Sequence, residues 1–168
     1  LEDGDSRAAY KTFNNDFRTY KRLKMYVHAE SNDEIESSLQ DGDLSFFIRL
    51  GTDFNDNYYE YEIPLKVTPW GVSRTDDQII WPIENELNIT FEQLLNAKQE
   101  RNKSIKDGIH SSSTDPFSGS DKQITIVGNP NISMIKTIML GVRNPRKGGP
   151  NSTVNDDGSS KCLSLIHI

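Results

Sequence analysis

The side chains able to do chemistry in this sequence are scattered rather than grouped. His28 sits on the polar face of an alternating run, His110 lies in a serine-rich stretch, and His167 is the penultimate residue. Zinc needs several nitrogen or sulfur ligands at short spacing, and none of these histidines has such a neighbour. The single cysteine, Cys162, excludes an internal disulfide and any multi-cysteine metal site. Carboxylates recur in turn-like stretches: Asp41 with Asp43, Asp53 with Asp56, and Asp156-Asp157-Gly158. Calcium takes oxygen ligands from loops of this kind, and a structural calcium is the one cofactor to weigh. No run has the ligand spacing of a calcium loop, however, and aspartates in turns commonly bond their own backbone. The expectation is no metal ligand and no cofactor.

Ser111-Ser112-Ser113-Thr114 offers hydroxyls. A serine nucleophile needs a positioned base and an exposed elbow of the Gly-x-Ser-x-Gly kind, and neither accompanies these residues. No catalytic residue is assigned, and an enzyme is not expected. The remaining candidates are aromatic. Tyr58, Tyr59, Tyr61, Trp70 and Trp81 could stack on sugar rings, or fill a core or a contact between domains. Alternation places Tyr59 and Tyr61 inside. Tyr58, Trp70 and Trp81 are left as the candidate interaction surface. Asn-x-Ser/Thr triplets at Asn88, Asn102, Asn131 and Asn151 are expected by chance in an asparagine-rich chain.

The elements that would carry these residues are mostly strands. In residues 22–30, Leu23, Met25, Val27 and Ala29 alternate with polar or amphipathic side chains. Leu44, Phe46, Ile48 and Leu50 do the same, as do Tyr59, Tyr61, Ile63, Leu65 and Val67. Strict alternation marks a half-buried strand, and the intervening polar turns predict an antiparallel meander with one wet face. Pro64 inside the third run predicts an edge strand or a bulge. Residues 79–82 read as a short extended segment. Residues 90–101 form the one credible helix, with Thr90 as N-cap, Gln93 at the capping-box spacing, and Phe91, Leu94, Leu95 and Lys98 along one side. Residues 102–122 read as a hydrophilic loop, 123–127 as a short strand, 131–133 as a single helical turn, and 137–143 as a last strand. Five or more strands with one helix make a mainly-β domain, and the expected architecture is an antiparallel two-layer sandwich of jelly-roll (galactose-binding-like) type.

The 168 residues suffice for one domain with a real core. Residues 1–19 read as a polar lead-in segment, where Tyr10, Phe13, Phe17 and Tyr20 show a weak helical spacing, and residues 20–161 as a single β-sandwich module truncated at its C-terminus. Residues 163–168 match the translation of a common transposase adapter and are expected to be a non-native tail. The chain begins at Leu1 and is expected to be an internal fragment. A net charge of −6 disfavours a nucleic-acid partner and an anionic membrane face. No apolar run is long enough for a membrane-spanning helix, although barrel strands are harder to exclude.

Four stretches in order carry a resemblance. Residues 20–30 (Tyr20-Lys21-Arg22-Leu23 onward) are similar to a segment that recurs in SprA proteins. So are Phe47-Ile48-Arg49-Leu50-Gly51-Thr52-Asp53 through Pro64-Leu65, then Ile80-Trp81-Pro82 with Glu84-Asn85, and Lys136-Thr137-Ile138 through Asn144-Pro145. The resemblance covers about residues 17–161. It implies a soluble insertion of the giant outer-membrane translocon of type IX secretion and gliding motility, at the cell surface or the periplasmic face. The partners it implies are other segments of the same chain, accessory subunits and secreted cargo. It supplies no catalytic residues. The competing expectations are a carbohydrate-binding jelly-roll module of a cell-surface protein and, with least support, a hydrolase.

Overall fold

The computed structural model describes residues 1, 4–30, 39–69, 71, 76–106, 113–114 and 122–145. It is mainly β, with antiparallel sheets and few helices. The strands are β1 (Ser6–Asn15), β2 (Arg22–Tyr26), β3 (Ser45–Gly51), β4 (Tyr58–Pro64), β5 (Glu86–Thr90), β6 (Ser113–Thr114), β7 (Gln123–Val127) and β8 (Ile135–Arg143). One helical turn, α1 (Asp77–Ile80), and one long helix, α2 (Phe91–Lys106), interrupt them. A six-stranded sheet runs in the order β1-β8-β3-β4-β7-β6, and β2 and β5 form a separate two-stranded ribbon.

Register explains the core. Phe46, Ile48 and Leu50 of β3 lie opposite Ile63, Tyr61 and Tyr59 of β4, and opposite Val142, Leu140 and Ile138 of β8. Directly opposed residues share a face, so the apolar positions of three strands form one continuous surface. The ribbon covers it with Leu87 and Ile89, helped by Leu23 and Met25, and α2 adds Phe91, Leu94 and Ala97. Each fully buried large side chain in this layer contributes on the order of 2 kcal/mol.

The β3–β4 hairpin, β7, β8, the turn Ile132–Met134 and the burial of Tyr59 and Tyr61 follow the sequence reading. Other elements differ. Residues 22–30 do not open a meander: β2 leaves the main sheet to pair with β5, a strand too short for its Leu87/Ile89 alternation to stand out. Beyond β2, Val27 is buried and Ala29 accepts a bond from the Thr68 amide at 2.7 Å. Pro64 lies on an interior strand. It is tolerated because β7 pairs with β4 only from Tyr58 to Glu62, so no β7 carbonyl awaits the missing N–H.

Within residues 79–82, Ile79 and Ile80 are helical rather than extended, because Asp76 caps α1 by accepting from the Gln78 amide at 3.2 Å, while Pro82 is extended. The capping box at Thr90 is present, with the Gln93 amide donating to Thr90 Oγ1 at 3.2 Å and the Thr90 amide donating to Gln93 Oε1 at 2.8 Å. On α2 the inward stripe is Phe91, Leu94 and Ala97, while Leu95 is exposed. The helix continues to Lys106, into the stretch read as a loop. Ser6–Asn15, within the polar lead-in, forms the edge strand β1, bonded to β8 from Ser6↔Arg143 to Thr12↔Thr137, with a register shift before Asn15.

Candidate interaction surface

The face of the six-stranded sheet opposite the core is not simply wet. Tyr58, Glu60 and Glu62 of β4 share it with Ser45, Phe47 and Arg49 of β3 and with Thr137, Met139, Gly141 and Arg143 of β8. Arg49 is ion-paired with Glu60. Arg143 reaches both Glu60, at 3.0 Å, and Glu62. Ser45 Oγ donates to Glu62. Two guanidinium groups thus meet two carboxylates in a closed, charge-balanced lattice. Beneath it lies Phe47, only 1% exposed, with Arg143 4.6 Å and Arg49 5.5 Å from its ring centroid. Gly141 makes the room, since a Cβ there would stand 2.7 Å from Phe47 Cε1 and 2.8 Å from the Ala8 methyl.

Tyr58 joins this lattice, because the Arg49 guanidinium stacks 4.3 Å from its ring centroid. Trp81 is elsewhere. It sits at the end of α1, edge-on to Tyr26 of the ribbon at 6.4 Å and 5.6 Å from the His28 ring. His28 Nδ1 is 2.9 Å from the Ile80 carbonyl, which only accepts, so Nδ1 carries the hydrogen. Its Nε2 stands 3.7 Å from Glu30 Oε2. Close by, Glu86 is held by Lys24 at 2.6 Å and by the Tyr26 hydroxyl at 3.2 Å. Trp81 is 38% exposed, and Ile79 and Ile83 beside it in sequence are also exposed. The structure therefore places Tyr58 on the six-stranded sheet and Trp81 at the end of α1 against the ribbon, rather than on one platform. Trp70 lies outside the described residues, as do His110, His167, Ser111, Ser112, Cys162, Asp156, Asp157 and the 163–168 tail.

Asp41, Asp43 and Asp53 accept from backbone amides, whereas Asp56 contributes only its amide to the Asp53 turn. Asp53 Oδ1 accepts from the amides of Asn55, Asp56 and Asn57 at 3.0, 2.6 and 2.9 Å, and Oδ2 accepts from Asn57 Nδ2 at 2.9 Å. The Asn57 side-chain bond first, and then the amides, hold this carboxyl down at about 2. Asp41 accepts from the Val67 amide at 2.7 Å. Asp43 accepts from the Gln40 amide at 2.7 Å, and burial pushes its carboxyl up. Among the described residues no group of three or more His, Cys, Asp or Glu is placed to hold a metal ion.

The Arg49–Glu60 pair was within reach of the sequence, because the hairpin register sets these residues opposite each other. The role of Arg143 was not, since it depends on β8 pairing with β3 from far along the chain.

A family model, SprA_N, described as a motility related/secretion protein, matches residues 1–162. The chain belongs to this family. It is thus a motility- or secretion-related protein, and the family points to association with the cell envelope. No curated protein matches the chain. No helix among the described residues is long and apolar enough to cross a membrane.

Proposed function

We propose that the chain is a non-catalytic, soluble module of a giant outer-membrane protein acting in type IX protein secretion and gliding motility. The observation that carries this reading is the SprA_N match across residues 1–162. The geometry is consistent with it: Arg49 and Arg143 on the outer face are paired with Glu60 and Glu62, and the carboxylates of Asp41, Asp43 and Asp53 accept from backbone amides. Such groups support a rigid packing unit rather than acid–base chemistry. The two antiparallel layers around one core support the jelly-roll sandwich reading of the fold. The module takes no cofactor, does not insert in the membrane, and lies at the cell surface or the periplasmic face. Its partners are other segments of the translocon chain, accessory subunits and secreted cargo, and the exposed Ile79, Trp81 and Ile83 supply apolar contact area.

The test is made in a gliding bacterium carrying the full-length parent gene. Replacing Trp81 and Ile83 by serine in that gene should leave its product folded and in the outer membrane, while lowering type IX cargo export and colony spreading. Normal export and spreading after in-frame removal of the whole segment would overturn the reading.

A further inference from the structure

β1 ends the six-stranded sheet, and among the described residues its outer edge has no strand partner. Its side chains from Ser6 to Thr12 are exposed on both faces, because the ribbon and α2 do not extend over this end of the sheet. An unpaired strand edge presents alternating N–H and C=O groups to any extended chain of matching chemistry. The strand itself is basic in an acidic chain. Its two charged residues are Arg7 and Lys11, although Asp5 directly precedes the strand and the net charge of the chain is −6. Arg18 is bonded to Asp16 and Lys24 to Glu86. Arg7, Lys11, Lys21 and Arg22 have no ion-pair partner among the described residues.

Arg7 and Lys11 lie opposite Val142 and Ile138, so both project on one face of the strand, with Ala9 between them. This pattern discriminates between occupants. If two copies of β1 paired antiparallel about Ala9, Arg7 of one would face Lys11 of the other, and like charges directly opposed are destabilising. A strand with carboxylates at alternate positions would meet both cations favourably. Tyr10, 67% exposed on the other face and edge-on to Phe54 at 4.7 Å, leaves aromatic surface beside the same edge.

We infer that β1 is a docking edge for an extended, acidic polypeptide segment, which adds to the sheet as a further antiparallel or parallel strand. Backbone hydrogen bonds would provide the affinity, and Arg7 and Lys11 the choice of partner. The inference does not depend on the translocon reading.

The chain is titrated with an end-blocked octapeptide of alternating Val and Glu, with its Val/Lys counterpart, and with phosphatidylglycerol vesicles. Binding is read by calorimetry, and β1 by amide hydrogen exchange. The Val/Glu peptide should bind, protect β1 amides, and weaken as salt is raised. The double substitution Arg7→Glu/Lys11→Glu should reduce its affinity about tenfold or more and transfer preference to the Val/Lys peptide, with an unchanged Tm because both side chains are exposed. Absence of peptide binding, equal binding of the two peptides, or indifference to the double substitution overturns the inference. Binding to vesicles but not to the peptide overturns it in favour of an anionic surface.

Discussion

Arg143 and Phe47 meet across the β8–β3 strand pair, with the guanidinium 4.6 Å from the ring centroid. Phe47 points away from the apolar core, yet it is as buried as the core residues beside it in the chain. An aromatic ring accepts a cation on its face, and the arginines bring apolar stems and planar heads that exclude water. Their charges are matched by Glu60 and Glu62 rather than by solvent. Over Phe47 the second face of the sheet is therefore closed, among the described residues, by a salt-bridge lattice rather than by a second layer of strands.

Glu60 is the node of that lattice, since it binds both Arg49 and Arg143 and its side chain is only 7% exposed. Glu60→Gln keeps the size but removes the charge from two partly buried cations. It should lower unfolding stability by about 2 kcal/mol, because the arginines lose their counter-ion without regaining full hydration. Urea unfolding of Glu60→Gln beside Glu84→Gln gives the comparison. Glu84 pairs with Lys66 on the surface, where an exposed pair is worth at most about 1 kcal/mol. Equal losses for the two substitutions would refute the lattice as a stabilising unit.

Gly141 should tolerate no larger residue. Gly141→Val places a branched side chain against Phe47 and Ala8. In a packed site such an insertion costs about 1–3 kcal/mol, and Phe47 must leave the arginines. Combining Gly141→Val with Phe47→Ala should recover part of the loss, seen as a positive coupling in a double-mutant cycle. Strict additivity would mean that the two sites do not share the space.

How much of this was legible depended on the distance over which each feature is decided. The β3–β4 hairpin was legible because its alternation, its turn and its pairing all lie within 44–65, and the capping box at Thr90 because it spans four residues. β2 alternates as well as β3, but nothing local states that its partner is β5 rather than β3. β1 was hidden by composition, since a strand exposed on both faces carries no apolar alternation to detect. On α2, Leu94 and Leu95 are equivalent by hydropathy. Ala97 inside and Leu95 outside follow from how closely the helix approaches the sheet. The candidate aromatics illustrate the same limit: alternation set Tyr58 apart from Tyr59, but only the strand neighbours show that Arg49 lies over Tyr58.

The capping box offers a local test. Thr90 ends β5 and starts α2, and its hydroxyl and amide bond the Gln93 amide and side chain. Thr90→Ala should cost about 1 kcal/mol, whereas Thr90→Ser should cost much less, because it keeps the acceptor. Hydrogen exchange at the Gln93 amide should accelerate in Thr90→Ala alone. Unchanged exchange there would show that the β5–α2 junction is held by packing and not by the cap.

Acid should act through Asp53. Its carboxyl is held at about 2 against an ordinary 3.8 by the bonds that close the β3–β4 turn. A folded-state value below the unfolded one gives stability that is present above the unfolded value and lost as pH falls toward the folded one. Between about pH 4 and pH 2 the protein should lose stability, and Asp53→Asn should flatten that limb while lowering stability at neutral pH. Because Asn57 Oδ1 also accepts from the Asn129 amide at 2.9 Å, the substitution should loosen the β7–β8 turn along with its own. A pH-independent difference between wild type and Asp53→Asn across that range would sink the assignment.

Base should act through Tyr59, at the opposite end of the pH scale. The ring is buried beneath α2, its hydroxyl donates to the Pro130 carbonyl at 3.0 Å, and burial pushes it up to about 12 from an ordinary 10. Here the folded state holds its proton longer than the unfolded chain does. Stability is complete below about pH 10 and falls as pH rises toward 12. Tyr59→Phe removes the ionisation and one hydrogen bond but leaves the Pro130 carbonyl satisfied, since Lys98 Nζ also reaches it at 2.7 Å. The cost at neutral pH should therefore be about 1 kcal/mol rather than that of an orphaned acceptor. The alkaline decline of unfolding stability should be shallower in Tyr59→Phe than in wild type. An identical decline in both proteins would assign it to another part-buried phenol, such as Tyr58, whose burial also raises it, and would exclude Tyr59 as the group that couples the core to pH.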